Sequence, residues 1–381
     1  MTDPNSRQKL IWWIATAVFV FCGAAWGAYW LIWGQYSEST NDAYVNGNMI
    51  MVTPQEEGIV TTILVDNTQL VEAGQVILEI DPHDYEIAYQ KTEADLAATV
   101  RLVAQMFIKV EELQAKKMAA EAELLRARLD YDHRQALVSD QSVSLEDFEH
   151  SQTTLMAAEA TVVEVEKELE GVLAEVENTT VADHPQVEQA KAALRRAFLA
   201  LHRCKVRAPT KGIITQRKAQ VGQWVRAFDP LMALVPIDQI WVDANFREVG
   251  LKNLRIGQPV ELISDMYGSE VKFHGEVVGL NPGTGSVFSI LPPQNATGNW
   301  IKIVQRVPVK IQMNSLELNL HPLVLGLSMT VYVDTHQRQG LRLPQTTSEI
   351  PLYFSDVYTD ELVGVEGVIE AIIKKNSPSD E

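Results

Sequence analysis

Cysteine is almost missing from this sequence: Cys22 and Cys204 are the only two in 381 residues. That is too few for a disulfide framework, and a lone cysteine on an apolar stretch reads as packing rather than redox chemistry. Basic clusters are missing as well. The chain carries 32 Lys and Arg against 50 Asp and Glu, a formal charge of -18, and no basic stripe interrupts the negative balance, so nucleic acid is excluded as a partner. Signatures of catalysis are equally scarce. The eight histidines are scattered, with no pair at i, i+4 flanked by glutamate, no Cys/His spacing closes a zinc site, and no serine has the glycine flanks of a nucleophile elbow. Neither an enzyme nor a metal or cofactor protein is expected. Asn281-Pro282-Gly283-Thr284-Gly285-Ser286 has glycines but no Lys-Ser/Thr after them, so it reads as a loop, not a phosphate cradle. The apolar share, 46%, rules out a disordered chain, and the length fits two or three domains.

One long hydrophobic run is present. Leu10 to Trp33 is 24 residues without a charge, about 36 Å as a helix against a hydrocarbon core of about 30 Å. Arg7 and Lys9 precede it and Glu38 and Asp42 follow, which places the N-terminus in the cytoplasm and the bulk of the chain outside. Trp12 and Trp13 at one end and Trp26, Trp30 and Trp33 toward the other match interfacial belts. The run is too long for the core of a cleaved signal peptide, so an uncleaved single-pass anchor is expected. In a cell with an outer membrane, the rest of the chain is periplasmic.

From Asp84 to Leu201 the only glycine is Gly171 and the only proline Pro185. Ala, Glu, Leu, Gln and Lys take over, which is helix composition. Phe148, Ser151, Leu155, Ala158, Val162, Val165, Leu169, Val172 and Val176 step by three and four, a heptad seam of coiled-coil grade. Upstream, Leu96, Val100, Val103 and Phe107 keep the rhythm, and Met118, Ala122, Leu125 and Leu129 resume it after an eleven-residue step that reads as a stutter. Turn-formers gather at Ser139 to Ser144, and Ser144 followed by Asp147 is an N-cap with an acidic first turn. Two helices of about 50 residues therefore form an antiparallel hairpin projecting on the order of 75 to 80 Å. Asn178 to Pro185 should break the returning arm before the seam restarts at Val187, Leu194, Phe198 and Leu201.

The flanks of the hairpin are related to each other. At a constant offset of 154 residues, Gly58-Ile59-Val60 matches Gly212-Ile213-Ile214, Gln69, Val71 and Ala73 match Gln223, Val225 and Ala227, and Val52 matches Val206. Each half is too short to bury its own face, so the two should pair into one β-sandwich with the hairpin inserted between them. Beyond Ile237, short alternating strands at 239–245, 257–263, 271–280, 300–311 and 329–333 indicate a small antiparallel barrel.

A β-half with Gly-Ile-Val and Ala-Gly-Gln, a long hairpin, and Arg207-Ala208-Pro209-Thr210-Lys211-Gly212 opening a second half resemble a split lipoyl-type domain. Behind a single anchor, that order is similar to the membrane fusion proteins (HlyD/AcrA-like), the periplasmic adaptors of tripartite efflux and secretion systems. Thr40-Asn41-Asp42-Ala43-Tyr44-Val45, Trp241 to Glu248 and Gln294 to Trp300 narrow the resemblance to the EmrA-type multidrug efflux adaptors. It covers residues 1 to about 345 and implies an elongated α+β protein. Residues 1–9 are then cytoplasmic, 10–33 the transmembrane helix, 34–48 a linker with a barrel-associated strand, and 49–83 the first lipoyl-like half. The hairpin takes 84–203, the second half 204–236, the barrel 237–345 and an acidic tail 346–381. In the tail, Leu362, Val365, Val368, Ile369 and Ile372 mark an amphipathic helix that either packs on the barrel or stays disordered. Lipoyl carriers expose a lysine at the turn joining their halves; here Ile80-Asp81-Pro82-His83-Asp84 runs directly into helix, and Lys117-Met118 is the nearest imitation of the carrier motif, in mid-helix. No cofactor is expected.

The resemblance further implies partners. These are an inner-membrane major-facilitator pump (EmrB-like), a TolC-like outer-membrane channel, and copies of the chain itself in a ring or tube; hydrophobic drugs are a further candidate contact without a locatable site. Adaptors that dock on TolC carry an Arg, a Leu four residues on and a Ser seven after that. Leu137 and Ser144 fit this spacing, but His133 holds the Arg position and Arg134 lies one residue along, so Arg134, Leu137 and Ser144 are candidates for docking or for shaping the turn. Two alternatives remain: an adaptor for type I protein secretion with an ABC transporter, and a stand-alone periplasmic coiled-coil protein.

Overall fold

The structure is a computed structural model and describes residues 4–32, 34–138, 142–287, 303–343 and 351–377. Trp33, the first half of the hairpin turn at 139–141, and the Gln294 to Trp300 motif lie outside the described residues. From Leu10 on, past Arg7 and Lys9, helix α1 (Pro4–Ile32) is apolar on every face, and Trp12, Trp13, Trp26 and Trp30 are exposed along it. Such a helix has no polar face to offer water. Among the described residues it is the one helix long and apolar enough to cross a membrane.

A 3₁₀ turn (Gly34–Tyr36) leads into β1 (Ser37–Gly47). Then come β2 (Ile50–Val52), β3 (Gly58–Ile63), β4 (Leu70–Val71) and β5 (Val76–Ile80), followed by α2 (His83–Val138), α3 (Leu145–Val176) and α4 (Pro185–Arg203). The second β-half holds β6 (Lys205–Arg207), β7 (Gly212–Thr215), β8 (Trp224–Val225) and β9 (Met232–Val235). The remaining strands are β10 (Ile240–Arg247), β11 (Pro259–Ser264), β12 (Lys272–Leu280), β13 (Arg306–Met313) and β14 (Ser328–Asp334), with short α5 (Ser315–Leu320) and C-terminal α6 (Val365–Asn376).

The sandwich consists of two four-stranded sheets, β2-β9-β7-β4 and β6-β5-β3-β8. Each takes two strands from either half, so neither half folds by itself and the hairpin ends are fixed to one body. The 154-residue offset reaches into the turns. Gln69 accepts from the Asp66 amide and Gln223 from the Gln220 amide, while Gln75 accepts from Glu72 and Asp229 from Arg226. Left-handed backbone recurs at matched positions: Thr68 (φ 72°) with Gly222 (φ 83°), and Gly74 (φ 77°) with Phe228 (φ 69°). In each pair one member is a glycine and the other tolerates a strained conformation worth roughly 1–2 kcal/mol. Gly212 has a different reason to lack a side chain, because a Cβ would stand 2.5 Å from the Val235 carbonyl oxygen.

β1, β10, β13, β12, β11 and β14 close a six-stranded barrel. Alternation is clean on β10, where Ile240, Val242, Ala244 and Phe246 point inward. They pack with Leu262, Phe273, Ile311, Val331 and Val333. β1 comes from before the sandwich and closes the barrel by pairing with both β10 and β14. The strand expected from residue 300 begins at Arg306.

Helix α2 has 56 residues, about 84 Å at 1.5 Å per residue. The returning arm is two helices. α3 stops at Val176, and α4 starts at Pro185 with His184 as N-cap. His184 is 4% exposed and holds the break in place: Nε2 donates to the Glu175 carbonyl and Nδ1 accepts from the Gln186 amide.

Candidate functional site

Three of the candidate residues read from the sequence, Arg134, Leu137 and Ser144, fall at the hairpin tip. Ser144 caps α3: its Oγ accepts from the Asp147 amide (3.1 Å) and donates to the Asp147 carboxylate (2.6 Å). Arg134 crosses from α2, donating to the Asp147 carbonyl (3.0 Å) and pairing with Asp130 (3.3 Å). Tyr131 stacks on Phe148 with centroids 5.3 Å apart. Both polar candidates thus converge on Asp147, a residue the sequence marked only as first-turn acid, and shape the turn. Leu137 is 44% exposed, and His133 is also exposed. The tip therefore offers an apolar side chain and an imidazole on a turn braced from within.

Along the shaft, Ser151, Val162 and Val176 are buried, while Phe148, Leu155, Ala158, Val165, Leu169 and Val172 are half-buried. On α2 the expected continuation is corrected. Met118, Leu125 and Leu129 are 65%, 59% and 50% exposed, and the inward positions are Val110, Leu113, Lys117, Ala120, Leu124, Ala127 and Tyr131. No stutter of eleven occurs. The seam mixes alanines with larger residues, and Lys117 lays its stem in it while its ammonium reaches Glu166 (2.8 Å). Reading by hydrophobicity selects the larger side chains, which form a separate heptad-spaced stripe on the outer face.

The base carries a feature the sequence left between two options, and neither holds. α6 packs on the hairpin rather than on the barrel. Val365 and Ile369 join Leu96, Val100, Val103, Val187 and Leu194 in one buried cluster. Arg195 pairs both guanidinium arms with Glu366 (2.7 and 2.9 Å), and Arg203 binds Glu361 (3.0 and 2.6 Å). The Ser355 hydroxyl donates to the Pro209 carbonyl. Arg195 holds the Glu366 carboxyl below the usual range. Beside this contact Cys204 is buried, and burial pushes its thiol up to about 12. It stays a protonated core residue.

The sequence motifs meet on the barrel. Thr40 donates to the Asn245 carbonyl, Asn245 donates to Asp42, and Arg306 pairs with Asp42 at 2.6 Å. The β1 register shifts between Thr40 and Ala43 to accommodate this. Trp241 lies outside the barrel beneath the Lys310 ammonium, 3.8 Å from the ring centroid. Among the described residues no group of three or more His, Cys, Asp or Glu is placed to hold a metal.

The profile of the EMRA alpha-helical hairpin domain matches residues 83–204, the span of α2 through α4. The multidrug export protein EmrA of Escherichia coli (strain K12) is 39% identical over 351 residues, 92% of this chain and 90% of that protein. The chain belongs to the EmrA family. Another similar protein is the fatty acid resistance protein FarA of Neisseria gonorrhoeae, 42% identical over 78% of this chain and 75% of its own. A solved structure of the periplasmic adaptor EmrA covers 79% of this chain and 99% of its own at 21% identity, with a TM-score of 0.40. Within the EmrA family frame, tip, shaft, clamped base and barrel are successive parts of one rod. The Asp147 brace and the α6 clamp escaped sequence reasoning. Their signals were the Arg at 134 and the alternation of Glu361 and Glu366 with apolar residues.

Proposed function

We propose that this chain is the periplasmic adaptor of a tripartite multidrug efflux system, joining an inner-membrane, proton-driven major-facilitator pump (EmrB-like) to a TolC-like outer-membrane channel. The observation that carries this reading is mechanical. A hairpin of about 84 Å emerges from a sandwich whose sheets interleave both halves, with the Ile80 amide donating to the Cys204 carbonyl where the arms enter. Force at the tip reaches the base through the unbroken α2, while His184 holds the interruption of the returning arm in place. α1 anchors the rod with its N-terminus in the cytoplasm, and no chemistry is performed by the protein itself.

Copies stand side by side in a ring or tube. The stripe of Met118, Leu125 and Leu129 on α2 and Met156 and Val163 on α3 supports this, because exposed apolar heptads on a water-facing rod demand a partner. At the top, Leu137 meets the channel while Arg134 and Ser144 set the turn's shape.

Crosslinked affinity purification of the full-length protein from its own cells, followed by mass spectrometry, tests the assignment. A major-facilitator transporter with an outer-membrane channel is the expected capture. An ABC transporter instead would assign the chain to protein secretion, and neither would leave a stand-alone coiled coil. Leu137→Asp combined with Ser144→Asp is expected to abolish resistance at unchanged membrane level; retained resistance removes the tip from the docking surface.

A further inference from the structure

On a chain of net charge -18, one end of the barrel gathers cations. It is the end where β1 leaves the anchor. The Thr335 amide donates to the Tyr36 carbonyl, His336 stacks on the Tyr36 ring (4.4 Å), and Arg338 lies over the same ring (4.9 Å) while donating to the Gln35 carbonyl (2.9 Å). Arg342 and Arg255 both donate to the Lys252 carbonyl (3.1 and 2.9 Å), and the Ile256 amide donates to the Leu341 carbonyl. Two segments, 249–256 and 336–343, are thereby held together. Among the described residues none of Lys252, Arg255, Arg338 and Arg342 forms an ion pair with a carboxylate. Glu38 accepts from the Asn253 side-chain Nδ2 instead, and Asp334 pairs with His336. Partial burial and the neighbouring Arg342 and Arg338 charges lower the pKa of Arg255, as expected where like charges crowd without a counterion. Val249, Leu341 and Leu343 are exposed among them at 82%, 48% and 58%.

The position of this end fixes what it meets. α1 ends at Ile32, and Gln35 is the third residue beyond it. The polar layer of a bilayer is roughly 5 to 7 Å deep on each side of the hydrocarbon, so a guanidinium bonded to the Gln35 carbonyl stands among headgroups. Cations mixed with exposed apolar side chains are the composition that settles at an anionic membrane interface.

We propose that Lys252, Arg255, Arg338 and Arg342, with Val249, Leu341 and Leu343 between them, form a docking surface for anionic phospholipid headgroups of the leaflet where the anchor emerges. The surface holds the barrel down on the bilayer and sets the rod's tilt. The inference rests on α1 spanning the membrane.

Hydrogen exchange of the full-length protein in nanodiscs tests it, comparing phosphatidylcholine alone with a mixture containing about one-third phosphatidylglycerol. The expected result is slowed exchange in 249–258 and 336–343 only in the anionic discs. Lys252→Gln, whose exposed side chain makes no hydrogen bond or ion pair among the described residues, should reduce binding by roughly five-fold without changing exchange in the barrel strands. Equal exchange in both lipids overturns the proposal. So does equal slowing by inorganic phosphate in phosphatidylcholine discs, which would mark a small-anion site, or slowing that appears only on adding the partner transporter, which would mark a protein interface. A chain that never enters discs removes the anchor, and this inference with it.

Discussion

The near and far halves of the hairpin are built from the same kind of sequence but not in the same way. Near the sandwich, three helices enclose a core: Leu96, Val100, Val103, Val187, Leu194 and Val365 are at 0% exposure. Toward the tip only α2 and α3 remain. The seam there is mostly half-buried, and Met118, Leu125, Leu129, Met156 and Val163 face outward. A helix pair buries one stripe on each helix, and full enclosure needs a third element. α6 supplies it at the base. Among the described residues the far half has no such third element, so the base is enclosed within one chain while the outer apolar stripe of the shaft stays uncovered.

The largest effect that sharpens this contrast is expected from one chemical change made in both halves. Leu194→Ala should cost about 2–5 kcal/mol of local stability, since it opens a cavity in an enclosed core, while Leu155→Ala on the half-buried seam should cost clearly less. Native-state hydrogen exchange of α4 and α3 reads both, and equal losses would break the distinction. His184→Ala comes next at about 1–2 kcal/mol, because it removes a helix cap and leaves the Glu175 carbonyl without its donor. Its effect should spread into both α3 and α4, which is visible as faster exchange on either side of the break. Leu125→Gln is expected to change the stability of the isolated chain by less than about 0.5 kcal/mol, yet to shift the protein toward smaller oligomers in analytical ultracentrifugation. The smallest effect is one of pH. The folded pKa of Glu366 is depressed by Arg195, so the clamp's contribution is complete above the unfolded value of 4.5 and fades as pH falls through the lower folded value. Exchange in α6 should accelerate as pH falls below 4.5, and Glu366→Gln should remove that dependence.

Much of the architecture was legible because it is written in local patterns. An uncharged run declares the anchor, glycine and proline scarcity declares the hairpin, and the 154-residue offset declares two halves that need each other. Turn-formers at Ser139 to Ser144 located the tip, and family resemblance supplied its docking candidates. The seam on α3 was readable because its apolar residues are large and regularly spaced. The seam on α2 was not, since Ala120, Ala127 and the stem of Lys117 are weak apolar signals beside the outward Met118, Leu125 and Leu129. At the tip, Arg134 and Ser144 were found as residues but their common partner Asp147 was not, because one carboxylate three residues into a helix looks like ordinary dipole compensation.

By itself the sequence determined which segments are helix, strand or membrane span, since periodicity and composition act over a few turns or one strand. Tertiary structure alone decided where α6 lies, how β1 closes the barrel, and which cations gather beside Gln35. Those are choices among partners distant in the chain: Arg195 with Glu366, Ser37 with Asp334, Arg342 with Lys252. An amphipathic helix specifies that one face must be covered, not by what, and only the complementary surface of α2 and α4, with Arg195 placed to receive Glu366 of the helix and Arg203 to receive Glu361 just before it, settles the answer.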